Sequence, residues 1–197
     1  MTQPSQSGSI KYFIPPTDYV LTGRDGLVHI PWQGKPAIPL LEEDFPAAEA
    51  SGSPDYDMVG RGMYQALRHD PESAFAAEYA GVLKEAYPHI VSELGGQIIM
   101  LDAREVDSPY MARKVNFLKI MALLDPANAG LPLEIGRTYA DRGSRLSDLH
   151  QAVSSWYAAE KYLKSYLALK GVRFTKTHDL ILLKNICVKH NGDFEFL

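Results

Sequence analysis

LLDPANAGLPLEIGRTYADRG, residues 123–143, decides how the helical part of this chain is read. Asp125-Pro126 is either the joint between two units of a helical repeat or a plain loop between unrelated helices. Proline disfavours helix in the residue before it and removes a backbone donor, so the preceding helix ends here on either reading. Beyond the joint, apolar residues at helical spacing predict a helix over 131–142.

Working outward, residues 147–170 carry the strongest helical pattern. Leu149, Ala152, Val153, Trp156, Ala159, Leu163, Tyr166 and Leu167 fall on one stripe, and Gly171 stops it. Glu160 and Lys164 are expected to form an i,i+4 pair on the exposed side. The small-aromatic-small spacing of Ala152, Trp156 and Ala159 predicts that Trp156 is buried between the 131–142 and 147–170 helices. A last helix is expected over about 177–190, ended by Asn191-Gly192. Upstream, further helices are expected within 53–69, 70–87, 88–103 and 108–124. Asp70 and Ser108 are read as N-caps ahead of Pro71 and Pro109. Seven helices with short connections imply antiparallel neighbours.

The first 54 residues differ. They hold eight of the 13 prolines and are expected to be extended or irregular. YVLTGRDGLVHIPW, residues 19–32, reads as a β-hairpin turning at Arg24-Asp25-Gly26, because Asp-Gly suits a turn with positive φ. The arm carries too much apolar surface to stay in water, so it is expected to dock from Tyr12 onward, with Trp32 as an anchor. Docking on its own helices gives a monomer; exchange with a second copy gives a homodimer. The domains are accordingly 1–54, an extended Pro-rich arm, and 55–197, a helical domain. The fold class is mostly all-α, built of antiparallel helical hairpins.

Composition sets limits on function. The chain has 197 residues, 46% hydrophobic and 22% charged, with a net charge of −4. That balance argues against nucleic-acid or membrane binding driven by overall charge, while leaving room for a local basic patch. One cysteine, Cys187, excludes an internal disulfide and a cysteine zinc site; its apolar neighbours make it a core residue. No apolar run reaches the length of a membrane span, and residues 1–20 lack a signal-peptide pattern. A cytoplasmic protein is expected. The six histidines are scattered and none pairs at metal spacing, so neither metal nor cofactor is expected. His178-Asp179 reads as a helix start rather than a ligand pair.

Two families share these residues. Pro126 at a joint, Ile135-Gly136 as a bulky-small pair, Tyr139, Gly143, and Ala152, Trp156 and Ala159 resemble a tetratricopeptide repeat. The register needs a four-residue insertion near 144–147, and one unit is well matched. The resemblance implies a non-enzymatic module that binds a protein or peptide partner without a cofactor. By position, Leu133, Arg137, Ala140 and Asp141 would face its groove; Arg137 and Asp141 also fit a surface i,i+4 salt bridge.

AAEKYLKSYLALKGVRFTKTHDLILL, residues 158–183, resembles part of a HEPN domain through Glu160, Lys161, Lys164, Gly171, Thr177, His178, Asp179 and Leu180. That all-α family includes nucleotide-binding members and RNase toxins. The resemblance implies a nucleotide- or RNA-processing component of toxin–antitoxin type. The family's RNases use an Arg, four to six residues, then a His, placed after this segment. No such motif follows here. Arg145 and His150 have the spacing but lie upstream, as do Arg24 and His29, so the chain is expected to be catalytically incomplete.

Overall fold

The computed structural model describes residues 8–102, 108–142, 146–174, 176–192 and 194. Among them are four short strands and eight helices: β1 (Ile10–Phe13), β2 (Val20–Thr22), β3 (His29–Pro31), β4 (Ile38–Leu41), α1 (Phe45–Ser51), α2 (Tyr56–His69), α3 (Ala76–Ala86), α4 (His89–Asp102), α5 (Ser108–Leu124), α6 (Gly130–Arg142), α7 (Leu146–Leu169) and α8 (Leu180–Val188). The chain is mostly helical with a small antiparallel N-terminal β region, the fold class the sequence implies. It divides into two compact units, Met1–Gln97 and Ile98–Leu197. This division falls within α4 and does not coincide with the composition change after residue 54.

In the N-terminal unit, β2 and β3 form the expected hairpin, pairing Val20 with Pro31 and Thr22 with His29. Gly26 sits at φ 72 in its turn, and Asp25 Oδ1 accepts from Leu27 N at 3.0 Å. A second pairing, β1 with β4, encloses the hairpin in sequence. Two-stranded pieces are marginal alone, and both are stabilised by burial: Leu21, Ile30, Trp32, Ile38 and Leu40 are all in the core. The docking expected of the arm is therefore observed, although Tyr12 and Ile14 themselves stay exposed. Tyrosine hydroxyls tie the arm to itself and to α3. Tyr19 donates to Pro54 O at 3.1 Å and Tyr79 to Ala37 O at 2.9 Å. Each hydroxyl gives a main-chain carbonyl a hydrogen-bond partner.

Two helix starts depart from expectation. Asp70 does not cap α3. Its Oδ1 accepts from Glu72 N at 3.0 Å in a turn, and α3 begins only at Ala76. Residues Phe45–Ser51, read as irregular, form α1 with a proline in the first turn, where its missing N–H costs nothing. The N-cap expected of Ser108 involves a side chain outside those described.

In the C-terminal unit, Ile135 packs with Val115 and Leu118 in one cluster. Leu163, Leu167, Leu183, Cys187 and Ala129 form another, joining α7 to α8. Gly171, at φ 64, ends α7, and Val172 N bonds back to Leu167 O at 2.9 Å. Trp156 is not buried between α6 and α7: it is 37% exposed. Its indole lies over Gly136, whose missing side chain makes the room; a Cβ there would stand 2.5 Å from the ring and 3.2 Å from Ala152 O. Ala152 and Ala159 occupy the close contact instead, at 1% and 0% exposure. Leu149 and Val153, assigned to the same stripe, are also about half exposed.

A tighter approach occurs at Gly62, where α2 meets β4. A methyl group there would overlap the Pro39 carbonyl oxygen and crowd the Leu40 backbone. Backbone cannot swing aside as a side chain can. Gly62→Ala is expected to cost at least the upper end of the roughly 1–3 kcal/mol of overpacking, and Gly136→Ala less, because the Trp156 indole can move toward solvent. Denaturant midpoints for the two variants check the ranking.

Candidate functional site

The concentration of polar chemistry in the C-terminal unit begins with one misplaced charge. Glu160 follows Trp156 by four residues and precedes Leu163 and Leu167 by three and seven. Helical geometry therefore puts it on the inner face of α7, and it is 8% exposed. An ionised carboxylate on such a face must be compensated. Lys164 Nζ, one turn along, donates to Oε1 at 2.6 Å. His178 Nδ1 reaches the same carboxylate at 3.0 and 3.1 Å from the loop before α8. The Glu160–Lys164 pair expected on the exposed side is thus present on the inner side, with a third member.

The loop that presents His178 is itself held. Thr177 Oγ1 accepts from Asp179 N at 3.0 Å. The Asp179 carboxylate accepts from Ile181 N and Leu182 N at 2.9 and 3.0 Å, so it is the N-cap of α8. His178-Asp179 is a helix start, as read, but His178 also joins α8 to α7. Its ring is otherwise open, with 83% of the side chain exposed. Beneath, Cys187 is fully buried, and burial raises its thiol pKa. No group of three or more His, Cys, Asp or Glu side chains among the described residues is placed to hold a metal.

The interaction residues expected on α6 share one face. Arg137 is exposed, and its Nη1 donates to Glu134 Oε2 at 3.1 Å, three residues back. The other oxygen of Glu134 takes Lys114 of α5 at 2.7 Å. Leu133 and Ala140 are half buried. The Asp141 side chain lies outside the described residues, as does Arg145. His150 is exposed in the first turns of α7. One spacing escapes the sequence reading: Arg173 and His178 are also an Arg, four residues and a His, and His178 of this pair contacts Glu160. The signal is the same as for Arg145 and His150.

The HEPN domain family model matches residues 149–196, about a quarter of the chain. The matched stretch holds α7 from its first turn, the α7–α8 loop and α8. It therefore contains Glu160, Lys164, His178 and Asp179, and it begins four residues after Arg145. No curated protein and no solved structure matches the chain. None of the described helices is long and apolar enough to cross a membrane.

Hydrogen bonds from Lys164 and then His178 hold the Glu160 carboxyl below its ordinary range, against the opposing effect of burial. A carboxyl lowered in the folded state stabilises the fold above its unfolded pKa. That contribution is lost as pH falls through the lowered value. Glu160→Gln is expected to be less stable than wild type at neutral pH and to lose less stability on acidification, so that the two curves converge. Denaturant titrations across the acid range check this; parallel curves would mean that Glu160 is not held by its partners.

Proposed function

We propose that this chain is a HEPN-like component of an RNA- or nucleotide-handling system, of the toxin–antitoxin kind, that holds its ligand without cleaving it. The observation that carries the reading is the coincidence of the family match with the Glu160–Lys164–His178 tie. The matched residues form a helical hairpin in which Glu160 of α7 is tied to His178 before α8.

The non-cleaving part of the reading is supported by Arg145 of the Arg145–His150 spacing lying before the matched stretch. Phosphodiester cleavage needs a base for the attacking hydroxyl, an acid for the leaving oxygen and positioned positive charge. His178 bonds Glu160 through Nδ1 and keeps Nε2 open, so its variant belongs in the cleavage assay. His150 stands on the solvent side of α7. A protein- or peptide-binding role through Leu133, Arg137, Ala140 and Asp141 is the second reading. The apolar surface left open at Leu149, Val153 and Trp156 favours it.

Incubation of the purified chain with single-stranded RNA tests the leading reading. Retention of intact RNA is expected. Cleavage that disappears in His178→Ala or His150→Ala would contradict the non-cleaving role and identify the working histidine.

A further inference from the structure

The overall charge of −4 conceals a segregation. Residues 161–192 contain seven lysines and arginines against one carboxylate, Asp179, a net charge of +6. The Asp179 carboxylate is turned to the first backbone N–H groups of α8. On α7 the two carboxylates, Asp148 and Glu160, are both buried. The exposed surface of this 24-residue helix therefore carries no acid.

What it does carry is ordered. His150, Ser154, Tyr157, Lys161 and Ser165 are all exposed. Their spacings of four, three, four and four place them on one stripe, opposite Ala152, Ala159 and Leu163. At 1.5 Å per residue the stripe is roughly 23 Å long. It leads to the α7–α8 loop, where Lys170, Arg173 and Lys176 recur every third residue, all exposed.

We propose that this stripe and loop form a binding track for single-stranded RNA. The class of ligand rests on the function proposed above; the location rests on charge and exposure. Backbone phosphates would pair with the loop cations and Lys161, and the serine hydroxyls can donate to phosphate oxygens. Tyr157, 55% exposed in the middle of the stripe, offers a face on which an unpaired base can stack. Bases in a duplex are already stacked on one another, so this surface favours single strands. A partner recognised by charge alone, such as an acidic protein, would leave Tyr157 without a role.

Fluorescence anisotropy with a labelled 20-nucleotide oligouridine tests the track. Each phosphate contact contributes about −0.7 to the slope of log affinity against log salt for a single strand. The combined Lys170→Ala, Arg173→Ala and Lys176→Ala variant should therefore reduce the slope by about 2 and weaken binding at low salt at least tenfold. Tyr157→Ala should weaken binding about tenfold with the slope unchanged. Lys35→Ala with Lys84→Ala, two exposed cations outside the track, should leave binding as in wild type. Circular dichroism of every variant should match wild type, since all the substituted side chains are exposed. Wild-type affinity in the triple variant would overturn the track while leaving an RNA-handling role. Equal affinity for duplex RNA, displacement of the RNA by polyglutamate as readily as by unlabelled RNA, or no binding by the wild type would also overturn it.

Discussion

A carboxylate on the inner face of a helix organises the C-terminal unit. Glu160 lies where apolar side chains are expected, between Trp156 and Leu163. Its charge is tolerable only because cationic or proton-donating groups reach it from two directions. Lys164 comes from its own helix; His178 comes from the next element. The second contact does more than neutralise. It fixes the loop that follows Gly171, and so sets where Asp179 meets the first amides of α8. The apolar cluster of Leu163, Leu167, Leu183 and Cys187 then closes in one register. Removing the charge and keeping the shape tests the electrostatics; removing the shape would test only packing.

The N-terminal unit solves a different problem with the same economy of contacts. Its strands are too short and too few to stand alone; β4 lies on α2, and Leu21, Ile30, Ile38 and Leu40 are buried. Close approach is permitted by Gly62 against Pro39. The polar cost is met by buried and half-buried tyrosines whose hydroxyls donate to main-chain carbonyls. Tyr56 and Tyr87 are the clearest pair, stacked at 4.3 Å and each bonded to a carbonyl at 2.6 Å. Desolvation raises the pKa of both phenols, so they remain neutral donors.

Local chemistry was legible in the sequence, and long-range geometry was not. Asp25-Gly26 marked the hairpin turn, Gly171 marked the end of α7, and helical periodicity located α6 and α7 to within a residue or two. Asp70-Pro71 was misleading because the same pair that opens a helix also makes a turn. Periodicity alone points Trp156 at the core. Periodicity gives the direction in which a side chain points but not whether the partner helix covers it, and at Gly136 the indole is left partly in water. Glu160 could have been placed correctly by the rule used for its apolar neighbours. Charge usually lies outside, and that habit points the other way. Gly62 gave no signal at all, since its reason lies some twenty residues away in β4. The α7–α8 segment was legible as family resemblance, and the structure adds what resemblance could not: the inner face is held by a charge, and the outer face has none of the acids.

These two faces of α7 lead to one functional account, in which a buried carboxylate orders a hairpin whose exposed side is cationic. Photo-crosslinking with a 4-thiouridine-substituted single-stranded RNA, followed by mass spectrometry of the adducts, tests that account most directly. Adducts are expected on peptides from residues 150–176, with Tyr157 among the modified positions. Adducts confined to residues 1–97, with α7 and the α7–α8 loop unmodified, would contradict it.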